Sequence, residues 1–200
     1  MNSVDELSGK KRSILIAAEK CFAAQSYEGV SIRDIAHEAN VPVALVGYYF
    51  GAKNQLYHAI FEYHSAYLNE RLLALRATRH GHTVELDAVL AAFVRPLLQL
   101  REQTESADFA RMVMRGVIDR HEASERIRAD FYAPMADELI AALQDALPLA
   151  TQTSLCRSYQ WALGALLHHV LAADPGGDEA ADDAALLRFL SHGIRAANAI

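Results

Sequence analysis

A chain of 200 residues and 22.0 kDa has room for one mid-sized domain, or a small module beside a larger one, with a real core in either case. Apolar residues make up 52% and charged ones 22%, and no run approaches the ~20 apolar residues of a membrane helix, so a soluble chain with no membrane partner is expected. The net charge of −6 is unevenly spread: Lys10, Lys11, Arg12, Lys20, Arg33 and Lys53 balance the acids of residues 1–60, while residues 61–200 hold 13 bases and 19 acids. A polyanion partner is therefore expected to meet the first part.

Residues Met1–Arg12 are polar and carry no export signal, which points to the cytoplasm. Cys21 and Cys156 stand alone inside apolar helical patterns and are expected as buried thiols, not as a disulfide or a zinc site.

Ile14, Leu15, Ala18, Cys21 and Phe22 recur at helical spacing and predict a first helix from about Lys10 to Ala24. Ser31, with Asp34 three residues on, caps a short second helix whose face is Ile32, Ile35, Ala36 and Ala39. Asn40 tolerates a left-handed exit, Pro42 suits a first turn, and a third helix runs to about Phe50. An amphipathic stretch from Lys53 to Thr78 follows, ending at His80-Gly81-His82. Further helices are expected over Val84–Glu105, Ala107–Asp119, Ser124–Ala146, Thr151–Ala173 and Ala180–Ala199, the last two separated by the loop Asp174-Pro175-Gly176-Gly177-Asp178. No alternating β pattern or internal repeat occurs, so the fold class is all-α with nine helices, divided at about 1–52 and 53–200.

The second and third helices have the makings of a helix-turn-helix, which needs a small residue at the crossing, a permissive turn and apolar anchors; Ala36, Asn40, Val41 and Val46 fill these roles. Ile35, Val46 and Phe50 would face the first helix, turning Pro42, Val43, Ala44, Leu45, Gly47 and Tyr48 outward toward a major groove. Ser31 at a helix start, the Tyr49 hydroxyl and Lys53 are candidate phosphate contacts. Arg33 is either a DNA contact or a solvated neighbour of Asp34, and Lys10, Lys11 and Arg12 are either a phosphate-gripping arm or a solvated tail.

The run Gly29-Val30-Ser31-Ile32-Arg33-Asp34-Ile35-Ala36, then Asn40-Val41-Pro42, then Tyr48-Tyr49-Phe50-Gly51-Ala52-Lys53-Asn54-Gln55-Leu56 closely resembles the DNA-binding region of the TetR-like bacterial transcriptional regulators. The resemblance covers about residues 10–60 and implies a nine-helix architecture with a C-terminal effector-binding domain whose last two helices pair with a second subunit. The chain departs from the family pattern at Gly47, where tyrosine is frequent, and at Leu45, where threonine is. Val43, Ala44 and Leu45 can touch thymine methyl groups but make no bidentate bonds to purine edges, so DNA shape and backbone contacts carry more of the reading.

For an effector, Phe93, Phe109, Met112, Val113, Tyr132, Met135, Trp161 and His168 are candidate pocket residues, each alternatively core. They imply a small, mainly apolar ligand with Tyr132 or His168 holding one polar group; Arg95, Arg111 and Arg115 either favour an anion or face solvent. Leu155, Tyr159, Leu163, Leu166, Val170, Leu187, Leu190 and Ile194 are candidates for a homodimer interface. His58 with Glu62, His80 with His82 and His168 with His169 form no convincing ligand set, so no metal is expected, and neither is a cofactor. Without a nucleophile elbow, phosphate loop or dinucleotide fingerprint an enzyme is disfavoured. The expected function is a transcriptional regulator that binds a palindromic double-stranded operator as a homodimer, most simply a ligand-responsive repressor. The alternative is a helical small-molecule-binding protein that no longer binds DNA, with an all-α enzyme third.

Overall fold

A computed structural model describes residues 3–80, 83–103, 106–118, 122–172 and 179–198. Among these the regular structure is helical throughout: α1 (Ser3–Ala24), α2 (Ile32–Glu38), α3 (Val43–Phe50), α4 (Lys53–Tyr63), α5 (Ser65–Ala77), α6 (Leu86–Glu102), α7 (Ala107–Ile118), α8 (Glu122–Ile127), a π-turn (Arg128–Tyr132), α9 (Ala133–Ala146), α10 (Gln152–Leu171) and α11 (Glu179–Asn198). Gly81, His82 and the expected loop Asp174–Asp178 lie outside the described residues.

The first helix begins at Ser3 instead of Lys10, so Lys10, Lys11 and Arg12 are part of a helix and not an arm or tail. The stretch expected as one helix from Lys53 bends at His64, whose φ of −94° and ψ of 14° leave the helical well. Backbone bonds from His64 N to Ile60 O (3.2 Å) and from Leu68 N to His64 O (3.1 Å) carry α4 into α5 across that bend. The expected seventh helix is likewise interrupted, by the five-residue π-turn ahead of Pro134.

In the N-terminal unit α1 packs on α2 and α4, and α2 crosses α3. Ile14, Ala18, Phe22, Ile35, Ala36 and Val46 are buried at its centre, since each lies on the inward phase of its helix. Gly51 closes the unit with φ 71°, and a Cβ there would stand 2.1 Å from Gln55 Oε1, the atom that accepts from Ala52 N (2.8 Å) and caps α4. The body is a bundle in which α6 packs on α5, α7, α9 and α11, and α10 on α7, α9 and α11. Cys21 and Cys156 are free thiols, only half-buried, and burial pushes the Cys21 thiol up.

The two parts are joined by an aromatic chain. Phe22 of α1 meets Tyr57 edge-on (centroids 4.9 Å), Tyr57 meets Phe61 (5.7 Å), and Phe61 touches Phe109, Phe131 and Tyr132 at 5.3–5.8 Å. Gly116 allows α7 to approach this hub: a Cβ on it would stand 2.8 Å from the Tyr132 hydroxyl and 3.0 Å from that of Tyr57. Arg115 Nε adds a bond of 2.7 Å to Ala23 O, satisfying a carbonyl at the end of α1.

Candidate functional site

The turn between α2 and α3 is built from short-range bonds. Ser31 Oγ accepts from Asp34 N (3.2 Å) while Asp34 Oδ2 accepts from Ser31 N (2.8 Å), a reciprocal cap; the Ser31 hydroxyl, donating to Asp34 Oδ2 (2.6 Å), and then the Ser31 N–H hold the Asp34 carboxyl below its ordinary range. Asn40 is the one non-glycine residue with positive φ (52°) among the described residues, and Val41 N donates to Ala36 O (3.0 Å), closing the helix by a Schellman-type bond. Pro42 is the N-cap of α3, one position earlier than a first-turn residue.

With Val46 and Phe50 buried, α3 presents Pro42, Val43, Ala44, Gly47 and Tyr48 to solvent, Tyr48 being 78% exposed. A Cβ at Gly47 would meet no atom within 4 Å, so this face is open. Leu45, expected on the same face, is half-buried and packs against the core. Ser31 and Arg33 are exposed beside it. A convex apolar helix surface of this size fits a major groove and can meet methyl groups, with Arg33 and Tyr48 as its polar members.

The expected phosphate contacts fare unevenly. Lys53 Nζ donates to Tyr27 O (2.9 Å) and Val30 O (3.0 Å) and sits 4.2 Å from the Tyr27 ring centroid, so its main work here is to tie α4 to the α1–α2 connection. One of its three donors remains. The Tyr49 hydroxyl is buried without a hydrogen-bond partner, which corrects the expectation that it reaches outward to a phosphate. Tyr49 instead lines a groove of about 570 Å³ with Lys11, Arg12 and Tyr63, where Lys11 Nζ lies 5.7 Å from the Phe50 centroid and Arg12 Nε donates to the Tyr63 hydroxyl (3.1 Å).

The expected pocket set does not converge. Phe93, Phe109, Met112, Val113 and Met135 are packed core, and Tyr132 donates its hydroxyl to Val113 O (3.1 Å). Trp161 and His168 stand on the opposite, exposed side of α10, because Leu155, Ser158, Ala162, Leu166 and Val170 occupy its inward phase. Arg95 is exposed, Arg111 pairs with Asp108 (2.8 Å), and Arg115 is spent on Ala23.

A cavity of about 480 Å³ lies instead between α5 and α6, lined by His64, Tyr67 and Arg71 on one side and Pro96, Gln99 and Leu100 on the other. Arg71 is only 6% exposed, and burial pushes its pKa down. Pro96 brings no N–H to its turn of α6, and next to that defect Arg71 donates Nε (3.2 Å) and Nη2 (2.8 Å) to Phe93 O, with its guanidinium 4.8 Å from the Phe93 centroid. No carboxylate pairs with Arg71 among the described residues. The Tyr67 hydroxyl is buried without a partner, and burial pushes its pKa up. His64 lines the same cavity, stacks on Phe109 (3.7 Å, 13°), and its Nε2 lies 2.9 Å from Oε1 of Glu19, a buried carboxylate on α1. These groups escape the sequence reading. The available signal is Arg71 in the apolar phase of Leu68, Leu72 and Leu75.

The interface candidates also need correction. Leu155, Leu166, Val170, Leu190 and Ile194 are buried inside the protomer and so are not free to meet a partner, while Tyr159, Leu163 and Leu187 are half-buried. The large apolar side chains left outward on α10 and α11 are Trp161 (59% exposed) and Phe189 (68%), with Gly164 and Gly193 open beside them.

Two family profiles match the chain: bacterial regulatory proteins of the tetR family over residues 14–60, and the tetracyclin repressor-like C-terminal domain over residues 91–196. Among curated proteins no sequence matches. Solved structures share the fold: HlyIIR, a hemolysin II transcriptional regulator, superposes with TM-score 0.65 at 23% identity over 93% of this chain and 97% of that one. NalD, the secondary repressor of the MexAB-OprM multidrug efflux pump in Pseudomonas aeruginosa, gives 0.64 at 17% identity over 94% and 97%. PfmR, a TetR family transcriptional regulator from Thermus thermophilus, gives 0.61 at 17% identity over 88% and 92%.

Proposed function

Because this chain belongs to the TetR family and is a transcriptional regulator with a DNA-binding N-terminal domain, we propose that it acts as a ligand-responsive repressor, binding a palindromic operator as a cytoplasmic homodimer. The observation that carries the DNA-reading part is the open outer face of α3, held at a fixed angle by the Ser31 cap and the Asn40 turn. Pro42, Val43, Ala44, Gly47 and Tyr48 enter the groove; Ser31, Arg33 and the remaining donor of Lys53 meet the backbone. One such module reads few base pairs, so a second copy supplies the second half-site. The partner is met through Trp161 and Phe189, because these are large apolar side chains that two helices packed on each other leave exposed, and burial against a second copy removes them from water.

The division falls at the Gly51-Ala52 turn, with α4 linking 1–52 to 53–200. Repression is supported by the structural neighbour NalD, itself a repressor. An effector that prefers the DNA-incompetent spacing of the two α3 helices lowers operator affinity by that preference, typically about 5–150-fold.

The test is fluorescence anisotropy of the full chain on duplexes tiling the DNA upstream of its coding region, with excess random competitor at about 0.15 M salt. Saturable binding to one palindromic tile is expected. Failure on every tile and in a selection from random duplexes would favour a ligand-binding protein without DNA activity, a reading motivated by the scarcity of hydrogen-bonding side chains on α3.

A further inference from the structure

The geometry points to the cavity between α5 and α6 as the seat of an effector with one carboxylate and an apolar body, held by Arg71 and Tyr67 and sensed by α1 through His64 and Glu19. The inference rests on the ligand-responsive reading above and supplies its site and ligand chemistry.

A guanidinium has five N–H donors, and Phe93 O takes only those of the Nε–Nη2 edge. The remaining donors have no protein acceptor among the described residues, and no carboxylate neutralises the charge. Burying an unpaired cation is costly, as is burying a hydroxyl with no partner, and Arg71 and Tyr67 do both at one cavity wall. They lie one helical turn apart on α5 and both line the cavity. An anionic oxygen placed against the unused Arg71 donors answers the charge, with the Tyr67 hydroxyl one turn away on the same helix. Glu70 also lines the cavity but is exposed, and as the chain neighbour of Arg71 it points about 100° away around the helix.

The rest of the wall selects the body of the ligand. Ala74, Pro96, Leu100 and the Tyr67 ring are apolar, and Gln99, Gln103 and Ser106 add uncharged polar groups. One permanent cation suits a monoanion: a phosphate dianion would bring a second charge to a lining that holds no second arginine or lysine and already carries Glu70. The volume, about 480 Å³, falls within the roughly 300–1,000 Å³ of small-molecule sites.

The site is also wired to the DNA-binding unit. His64 lines the cavity, marks the bend between α4 and α5, and is hydrogen-bonded to Glu19 of α1, so a group seated against its ring changes the α1–α4 contact.

The experiment uses the full chain with octanoate and benzoate as probes and their neutral amides as controls. Calorimetry gives probe affinity; operator anisotropy is measured in the same samples. The carboxylates are expected to bind about 10- to 100-fold more tightly than the amides, the range for a hydrogen bond to a charged group. That preference should vanish in Arg71→Met and shrink in Tyr67→Phe, with folding of both variants checked by thermal melts. Equal affinity for acid and amide, no binding of any carboxylate, or a preference that survives Arg71→Met overturns the site. Octanoate that binds without changing operator affinity overturns the link through His64 while the site stands. A protein that binds octanoate through Arg71 but no DNA removes the repressor reading and leaves the site intact.

Discussion

In the first 60 residues the polar contacts that shape the turn close over three to five residues: Ser31 with Asp34, Val41 with Ala36, Gln55 with Ala52. In the body the decisive contacts reach far along the chain: Arg71 to Phe93 O, His64 to Glu19, Arg79 to Glu138. The first region is a rigid shape specified locally and presents apolar surface outward. The second gathers charge and unpaired donors inside a bundle. A surface shown to DNA in one geometry is served by local caps, whereas the cavity proposed above to take a ligand is built where separate helices meet.

The aromatic hub is the place to break this contrast most forcefully. Phe61 is fully buried and touches rings from α4, α7 and the π-turn. Phe61→Ala should cost about 3–5 kcal/mol and separate melting of the N-terminal unit from that of the bundle. Urea unfolding followed by Trp161 fluorescence and by circular dichroism checks this; coincident curves with a loss below about 1 kcal/mol would show that the hub does not join the regions.

What can be read from sequence follows the same division. The Ser31 cap, the left-handed Asn40 and the inward set Ile35, Ala36 and Val46 are legible, because each depends on neighbours a turn away. The helices of the body are legible as periodic stripes, but their partners are not. Periodicity says that Leu166 and Val170 lie on an apolar face without saying whether that face meets the protomer's own core or a second subunit. It marks Trp161 as apolar without showing that α10 turns it outward. Lys53 and Tyr49 carry polar groups, yet whether a donor points at DNA or at a neighbouring carbonyl is settled by tertiary packing.

The second test acts on that outward face. If Trp161 anchors the dimer, Trp161→Ala should weaken association by about 2 kcal/mol, roughly 30-fold, while the melt of the protomer hardly moves. Sedimentation against concentration reads this directly. A dimer of unchanged strength would assign the patch to some other contact.

Smaller still is the effect of loosening the turn. Asn40→Ala keeps a β-carbon in the left-handed region but loses the local hydrogen bonding that lets asparagine adopt it, and should cost about 0.5–1 kcal/mol, whereas Asn40→Gly, with no β-carbon, should cost nothing. Ser31→Ala removes the cap for about 1 kcal/mol. Operator affinity should fall with the first and third and persist in the glycine variant. If all three behave alike, the conformation of residue 40 does not set the angle of α3.

The smallest effect belongs to the long-range ion cluster of the body. Glu138 accepts from Arg76 Nε (2.8 Å) and Arg79 Nη1 (2.8 Å), and these two hydrogen bonds hold its carboxyl below the ordinary value of 4.5. A depressed folded pKa means that the proton is bound more weakly in the folded chain than in the unfolded one. The resulting stability is fully present above the unfolded pKa and disappears as pH falls through the folded one. The cluster lies near the surface, so its contribution is about 0.5–1 kcal/mol and weakens with salt. Glu138→Gln should therefore flatten the loss of stability below pH 4.5 and leave the neutral melt lower by that amount, with operator affinity unmoved because the ion cluster joins α5 to α9 whereas α3 packs on α2 and α4. Melts of the two proteins between about pH 3 and pH 7 decide it, and parallel curves across that window would mean that both arginines are satisfied by water in solution.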